Sequence, residues 1–256
     1  MALEFRGVAK RFKLPDGDTL TAVRDISFTV REGEFVSVVG PSGCGKSTIL
    51  SMTAGLYQPS DGEVFVSGNL VTKPNPQVGF MLQKDLLLPW RTIVKNVEFG
   101  LESRGVPRKE RRERAMAELE RCHLAGFENH YPYQLSGGMR QRAALARTLA
   151  IDPDIILLDE PFSALDAQTK LPIQNSFAET IQEAGITTLL ITHDLSEAVI
   201  MSDRVLVLSE RPGTVIHELD VGLPDRAHPL RRRQMPEVHH HAAEIFRLLR
   251  LDQRAA

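Results

Sequence analysis

Apolar positions along the chain fall into short, sharply bounded runs, and the period within each run separates strands from helices. Residues 3–12 and 22–30 are strand-like and flank Pro15-Asp16-Gly17-Asp18, a cluster of turn formers. This pattern predicts an antiparallel β-region at the start of the chain. Residues 35–39 (FVSVV) form a β-branched apolar run, followed by a loop at 40–45 and a helical stretch that starts at Lys46 and stops at Gly55.

From about residue 85 to residue 150 strand patterns give way to helical ones. Pro107 is placed to open a helix on which Ala115, Leu119 and Cys122 share one face. Strand-like runs return at 155–158, 187–191 and 204–208, with helical patterns at 169–184 and 195–201 between them. Alternating β and α segments predict an α/β fold whose sheet is mostly parallel and covered on both faces. The expected organisation is a core of residues 1–84 and 151–216, an inserted helical subdomain at 85–150, and a tail at 217–256. That tail carries Arg231-Arg232-Arg233 and a helix with Ala242, Ile245 and Leu249 on one side.

Composition narrows the classes. The 256 residues carry 31 Lys+Arg against 33 Asp+Glu, a formal charge of −2, so no strongly basic surface is implied. At 42% hydrophobic and 25% charged, the chain reads as an ordinary globular protein. No apolar stretch approaches the ~20 residues a bilayer helix needs, and the first residues lack the apolar segment of a secretory signal. A cytoplasmic protein is expected. Cys44 and Cys122 are too few and too far apart for a disulfide framework and are expected as free thiols.

The run Gly40-Pro41-Ser42-Gly43-Cys44-Gly45-Lys46-Ser47 has the form GxxxxGK[ST] between an apolar strand and a helix, the context this phosphate-binding loop requires. Its glycines let backbone N–H groups turn inward around phosphate oxygens, and the helix beginning at Lys46 adds its positive end. Lys46 supplies a mobile charge for β- and γ-phosphates, and the Ser47 hydroxyl is placed to ligate Mg2+. The candidate nucleotide-binding run extends through Thr48. The strand at 155–158 ends in Asp159-Glu160, two carboxylates at the edge of a parallel sheet where α/β folds bind ligands. Asp159 is expected to orient a Mg2+-bound water and Glu160 to act as general base on the attacking water.

Leu135-Ser136-Gly137-Gly138-Met139-Arg140-Gln141 resembles the LSGGQ signature of the ATP-binding cassette ATPases. The resemblance covers about residues 3–216 in family order: phosphate loop, Gln83, signature, Asp159-Glu160, Ser163-Ala164-Leu165-Asp166, His193. It implies a P-loop nucleotide hydrolase core, with ATP and Mg2+ as cofactors. It also implies that Gln83 reaches Mg2+ and the γ-phosphate, and that His193 contacts the γ-phosphate and steadies the attacking water. Phe12 falls where the family sets an aromatic ring, usually Tyr, against adenine.

The resemblance further implies a head-to-tail dimer with a second copy or a homologous cassette. Ser136, Gly137 and Gly138 of one chain then close over nucleotide held by the other's phosphate loop, and Asp166 crosses the interface. Asp166 equally fits a helix cap, and so does Ser136, next to two bare glycine N–H groups. Met139 stands where the family has Gln and offers none of the amide's hydrogen bonds. The segment 86–93, with the only Trp, Trp90, is implied to face a membrane partner.

A single cassette with no membrane span, and the Tyr131-Pro132-Tyr133-Gln134 segment before the signature, resemble importers. The expected function is the ATP-binding and ATP-hydrolysing subunit of an importer at the cytoplasmic face of the inner membrane. Its expected partners are transmembrane permease subunits and, indirectly, a solute-binding protein. The runs Gln83 to Trp90 and Pro161 to Asp166 are similar to the nitrate, sulfonate and taurine group. Alternatives are a cassette acting on nucleic acid or ribosomes, and a nucleotide-dependent regulatory module, against which Glu160 argues. No nucleic acid is expected: Arg104 to Arg121 mixes seven basic with four acidic residues, the pattern of a solvated helix face. The Arg231-Arg232-Arg233 run is a candidate contact for lipid headgroups or a partner.

Overall fold

Two sheets organise the chain, which is described over residues 1–249 by a computed structural model. Strand β1 (Leu3–Lys13) pairs antiparallel with β2 (Thr19–Val30), in a register that sets Leu3 opposite Val30 and Phe5 opposite Phe28. The two phenyl rings stack with centroids 4.7 Å apart.

The central strand β3 (Phe35–Val39) is buried along its whole length and runs into helix α1 (Lys46–Thr53). Strand β4 (Asp61–Val66) returns to pair antiparallel with β1, and the short β5 (Asn69–Leu70) pairs with β4. Strand β6 (Val78–Met81) joins the other sheet. The sequence pattern predicts no element for β4, β5 or β6. Only Val64 and Val66 of β4 are fully buried, among Asp61, Gly62 and Glu63, and β6 has only four residues, so neither makes a distinct apolar run.

Helices occupy the following stretch: α2 (Ile93–Val97), α3 (Phe99–Ser103), α4 (Arg108–Arg121) and α5 (Gly137–Leu149). Pro107 precedes α4, and Ala115 and Leu119 are its buried positions, with Cys122 buried just after it. The remainder alternates: β7 (Ile155–Asp159), α6 (Ala167–Ala184), β8 (Thr187–Ile191), α7 (Leu195–Met201) and β9 (Arg204–Leu208). It closes with β10 (Val215–Asp220), α8 (Pro229–Arg232) and α9 (Pro236–Leu248).

The second sheet has the order β10-β9-β3-β8-β7-β6. All pairs are parallel except β9 with β10. Successive residues of its inner strands feed two cores. Val36, Val38, Ile155 and Leu157 pack with the antiparallel sheet and α1, whereas Phe35, Val39, Ile156 and Leu158 pack with the helical stretch. Coverage on both faces explains why these strands read as unbroken apolar runs.

The C-terminal part is more integrated than its sequence suggests. Strand β10 continues to Asp220, past the point at 216 where the core was expected to end. Val238, Ile245 and Leu249 of the terminal helix region join the larger core, in which Ala198 and Met201 of α7 also lie. Residues 250–256 of the expected tail lie outside the described residues.

The arginine run is corrected too. Arg232 is only 1% exposed and donates to the carbonyls of Pro224, Ser202 and Leu223. A guanidinium committed to the backbone in this way is a structural peg, so the middle residue of the run has no charge to offer a lipid or a partner. Arg231 pairs with Asp225 at 3.6 Å.

Candidate active site

Because β3, β6, β7, β8 and β9 run parallel, everything that follows them leaves one edge of the sheet. That edge gathers the phosphate loop after β3, Gln83 after β6, Glu160 after β7, His193 after β8 and Arg211 after β9. Sheet edges of this kind are where α/β folds bind ligands.

Gly45 caps α1 with φ at +102°, and a Cβ there would collide with Val23 Cγ1, so only glycine fits the turn into the helix. Lys46 is 8% exposed, and its ammonium donates to the carbonyls of Gly40 at 2.7 Å and Pro41 at 2.9 Å. The loop thereby holds its own cation at the positive end of a helix, an arrangement that suits an anion. A cavity of about 340 Å³ opens above it, walled by Ser42, Gly43, Lys46, Ser47 and Thr48 on one side and by Phe12, Leu20 and Ala22 on the other. Phe12 meets Tyr57 edge to face, with centroids 5.4 Å apart, and Lys10 Nζ lies 5.1 Å from the Phe12 ring.

Ser47 Oγ donates to Asp159 Oδ1 at 3.5 Å. Burial is the largest influence on the Asp159 carboxyl and, with the neighbouring Glu160 charge, holds it above its ordinary value against the opposing pull of Ser47 and Lys46. A hydroxyl beside a partly desolvated carboxylate is a hard oxygen donor pair that fits a divalent cation such as Mg2+, and the Gln83 amide is hydrogen-bonded to the neighbouring Glu160.

Glu160 adopts a left-handed backbone, φ +48°, which costs a residue of its type about 1–2 kcal/mol. Its N–H donates to Ile191 O at 2.9 Å, a bond to the end of β8 that fixes the turn. Strain of this sort concentrates where a side chain must be aimed. The carboxylate lies 3.2 Å from His193 Nδ1 and accepts from Gln83 Nε2 at 3.4 Å, although these residues come from three different strand ends. Gln83 also donates to Ser163 Oγ at 3.1 Å.

Two ties brace this cluster from behind. Asp85, two residues past Gln83, accepts from Arg140 Nε at 3.1 Å, while Arg147 donates to the carbonyls of Asp85 and Leu86. These bonds fasten the segment after Gln83 to α5. Lys170 of α6 pairs with Asp194 at 2.8 Å and with buried Glu197 at 2.7 Å, fastening the turn after His193 to α6. Burial opposes the Asp194 charge, but the Lys170 ammonium and the N–H of Glu197 hold its carboxyl below the usual range.

Not every expected residue joins this cavity. Ser136 caps α5 by accepting from Met139 N–H at 3.3 Å. Gly138 is buried, and Gly137 lines a different cavity of about 580 Å³ beside Gln83, Arg140 and Leu165. Asp166 caps α6, accepting from the backbone N–H groups of Gln168 and Thr169 at 3.0 Å and from Thr169 Oγ1 at 2.7 Å. None of these four lines the phosphate-loop cavity of its own chain.

Residues that sequence reasoning passed over do line it: Leu20, Ala22 and Arg211. The available signal for Arg211 was its place three residues past the end of an apolar strand and before Pro212-Gly213, a turn at the same kind of sheet end that carries Glu160. Elsewhere, Trp90 is 72% exposed at the rim of a groove of about 760 Å³ shared with Arg91, Lys95, Glu98 and Arg108. The basic face of α4 is laced with acids, Glu110 with Arg114 and Glu98 with Arg111 and Arg112.

Residues 23–163 match the family described as "ABC transporter". An uncharacterized ABC transporter ATP-binding protein of Methanocaldococcus jannaschii is 47% identical over 224 residues, 87% of this chain and 84% of that one. The taurine import ATP-binding protein TauB of Yersinia pestis is 45% identical over 205 residues, 80% of each chain. The nitrate import ATP-binding protein NrtD of Synechocystis is 44% identical over 237 residues, 91% of this chain and 89% of that one. Among solved structures, an ATP-binding cassette in a dimeric post-hydrolysis state bound to ADP and Pi superposes with a TM-score of 0.73 at 34% identity. It covers 86% of this chain and 98% of that one.

Proposed function

The chain belongs to the ABC transporter family, and on that premise we propose that it is the ATP-hydrolysing subunit of an importer for a small anion of the nitrate, sulfonate or taurine kind. It works in pairs on permease subunits at the cytoplasmic face of the membrane. The observation that carries this reading is the convergence of Lys46, Ser47 and Glu160 on one cavity, with Gln83 and His193 on the Glu160 carboxylate.

In this reading the α1 N-terminus and the loop N–H groups bind the polyphosphate, and Lys46 exchanges its carbonyl partners for phosphate oxygens. Ser47, Gln83 and Asp159 are the residues that would hold Mg2+, which when bound would supply charge neutralisation to the phosphates. Glu160 takes a proton from water as the water oxygen bonds to the γ-phosphorus. The bond from that phosphorus to the β–γ bridging oxygen breaks, and ADP and phosphate leave. His193 holds the Glu160 carboxylate in place, and Phe12 supplies a face for adenine.

Ser136, Gly137, Gly138 and Asp166 lie outside this cavity in one chain, which supports a site completed by the signature helix of a second copy. The relatives' names support import and the anion class. Exposed Trp90 and its groove support a permease seat beside the segment that follows Gln83. Among the described residues no helix is long and apolar enough to cross a membrane.

The test is Glu160→Gln in the full chain. The isosteric amide keeps packing and ATP affinity but removes the base, so size-exclusion chromatography with Mg-ATP is expected to show a persistent dimer without turnover. A variant that hydrolyses ATP normally, or stays monomeric with ATP, overturns the reading.

A further inference from the structure

The phosphate-loop cavity has a cationic wall residue that the mechanism above does not use. Arg211 lies in the β9–β10 connection, is exposed, and lines the cavity together with Phe12, Ala22, Gly43 and Lys46. Among the described residues it makes no hydrogen bond, ion pair or ring contact of its own. By contrast, Arg140, Arg147, Arg204, Arg226 and Arg232 are each committed to carboxylates or carbonyls. An uncommitted guanidinium on the rim of an anion-binding loop is a donor fork without a load.

Its loop is fixed in place. Gly213, two residues on, donates to Ala22 O at 3.0 Å and accepts from Arg24 N–H at 2.9 Å, which zips the connection to β2. Gly213 also lies against the phosphate loop so closely that a Cβ there would collide with Cys44 O. The Arg211 backbone is therefore braced by the strand that supplies the apolar wall and by the loop that cradles phosphate. It stands beside the junction of those two walls.

We propose that Arg211 is a nucleotide-binding residue that engages the phosphate nearest the nucleoside, complementing Lys46 at the terminal phosphates. This rests on the reading of the cavity as an ATP site. A guanidinium binds a phosphate through two parallel N–H donors, and the charge makes such bonds stronger than neutral ones. The α-phosphate is common to ATP, ADP and AMP, so the contact contributes equally to all three and does not distinguish substrate from product.

The experiment measures ATP, ADP and AMP affinity of the intact wild-type protein, Arg211→Ala and Arg211→Lys by calorimetry, with thermal unfolding recorded without nucleotide. Arg211→Ala is expected to unfold at the wild-type temperature, because nothing in the fold holds its side chain. It is expected to lose about tenfold in affinity for ATP and ADP alike, with a partial recovery in Arg211→Lys. Unchanged affinity for both nucleotides overturns the proposal, as does a loss for ATP with ADP binding intact, which moves the contact to the γ-phosphate. An unfolding temperature lowered as far as the binding loss demands also overturns it, by making the role structural. If the wild-type protein itself binds no adenine nucleotide, the ATP-site reading fails first.

Discussion

Arg147 donates to the carbonyl of Asp85 at 2.6 Å, so the segment leaving Gln83 is tied to the last turn of the signature helix by a side chain from 62 residues downstream. The other end of the same guanidinium takes Leu86 O at 2.7 Å, at a residue whose φ of +46° is strained for leucine. Burial lowers the Arg147 pKa, and the nearby Asp85 charge opposes that pull. Arg147→Met is expected to cost about 1–3 kcal/mol in stability, because two carbonyls lose their donors. It is also expected to speed amide exchange across residues 84–88, and exchange at the wild-type rate there would contradict the tie.

Lys46→Ala is expected to abolish ATP binding or turnover. The ammonium is nearly buried and serves two loop carbonyls, so the loop itself also loosens, and a loss of about 1 kcal/mol in unfolding free energy accompanies the functional loss. Calorimetric binding beside a thermal melt separates the two effects. Wild-type turnover in a folded variant would sink the role given to Lys46.

Ser136→Arg is expected to leave ATP binding by the monomer intact, since Ser136 lines no part of its own chain's cavity, while hydrolysis collapses. Mixing it with Lys46→Ala places both lesions on one composite site and leaves the other whole, so recovered activity in the mixture identifies the site as shared between chains. Loss of monomer binding in Ser136→Arg alone would return the signature to its own chain.

The two thiols are expected to be silent in the native protein. Burial, helped by the Glu118 charge, pushes the Cys122 thiol up to about 12. Burial raises Cys44 as well, against the opposing charge of Lys46. Iodoacetamide at pH 8 is expected to label neither until denaturant is added, after which both react. Rapid labelling of Cys122 in the folded protein would contradict its burial at the end of α4.

The elements that were legible in sequence share one physical condition. Strands 35–39, 187–191 and 204–208 are covered on both faces, so each is a clean apolar run ended by a loop that must carry polar residues. The phosphate loop was legible because its chemistry is local, eight consecutive residues with one strand before and one helix after. What sequence did not carry depends on strand order. Arg211 borders the cavity only because β9 lies beside β3, and Arg147 reaches Asp85 only because α5 folds back over the segment after β6. Arg232 misled for a different reason: three consecutive arginines look like a surface charge, and only the carbonyls of residues 200–202 and 223–224 turn the middle one inward.

The pairing of Lys170 with Asp194 and Glu197 gives α6 a second office. The helix opens at Asp166 and, one turn later, grips the residue that follows His193. A rod gripped in this way resists displacement of its first turn relative to the residue after His193, because such a movement would draw the Lys170 ammonium away from the buried Glu197 carboxylate. The cap at Asp166 and the turn that carries His193 to the Glu160 carboxylate thus belong to one mechanical unit, joined through a single helical turn.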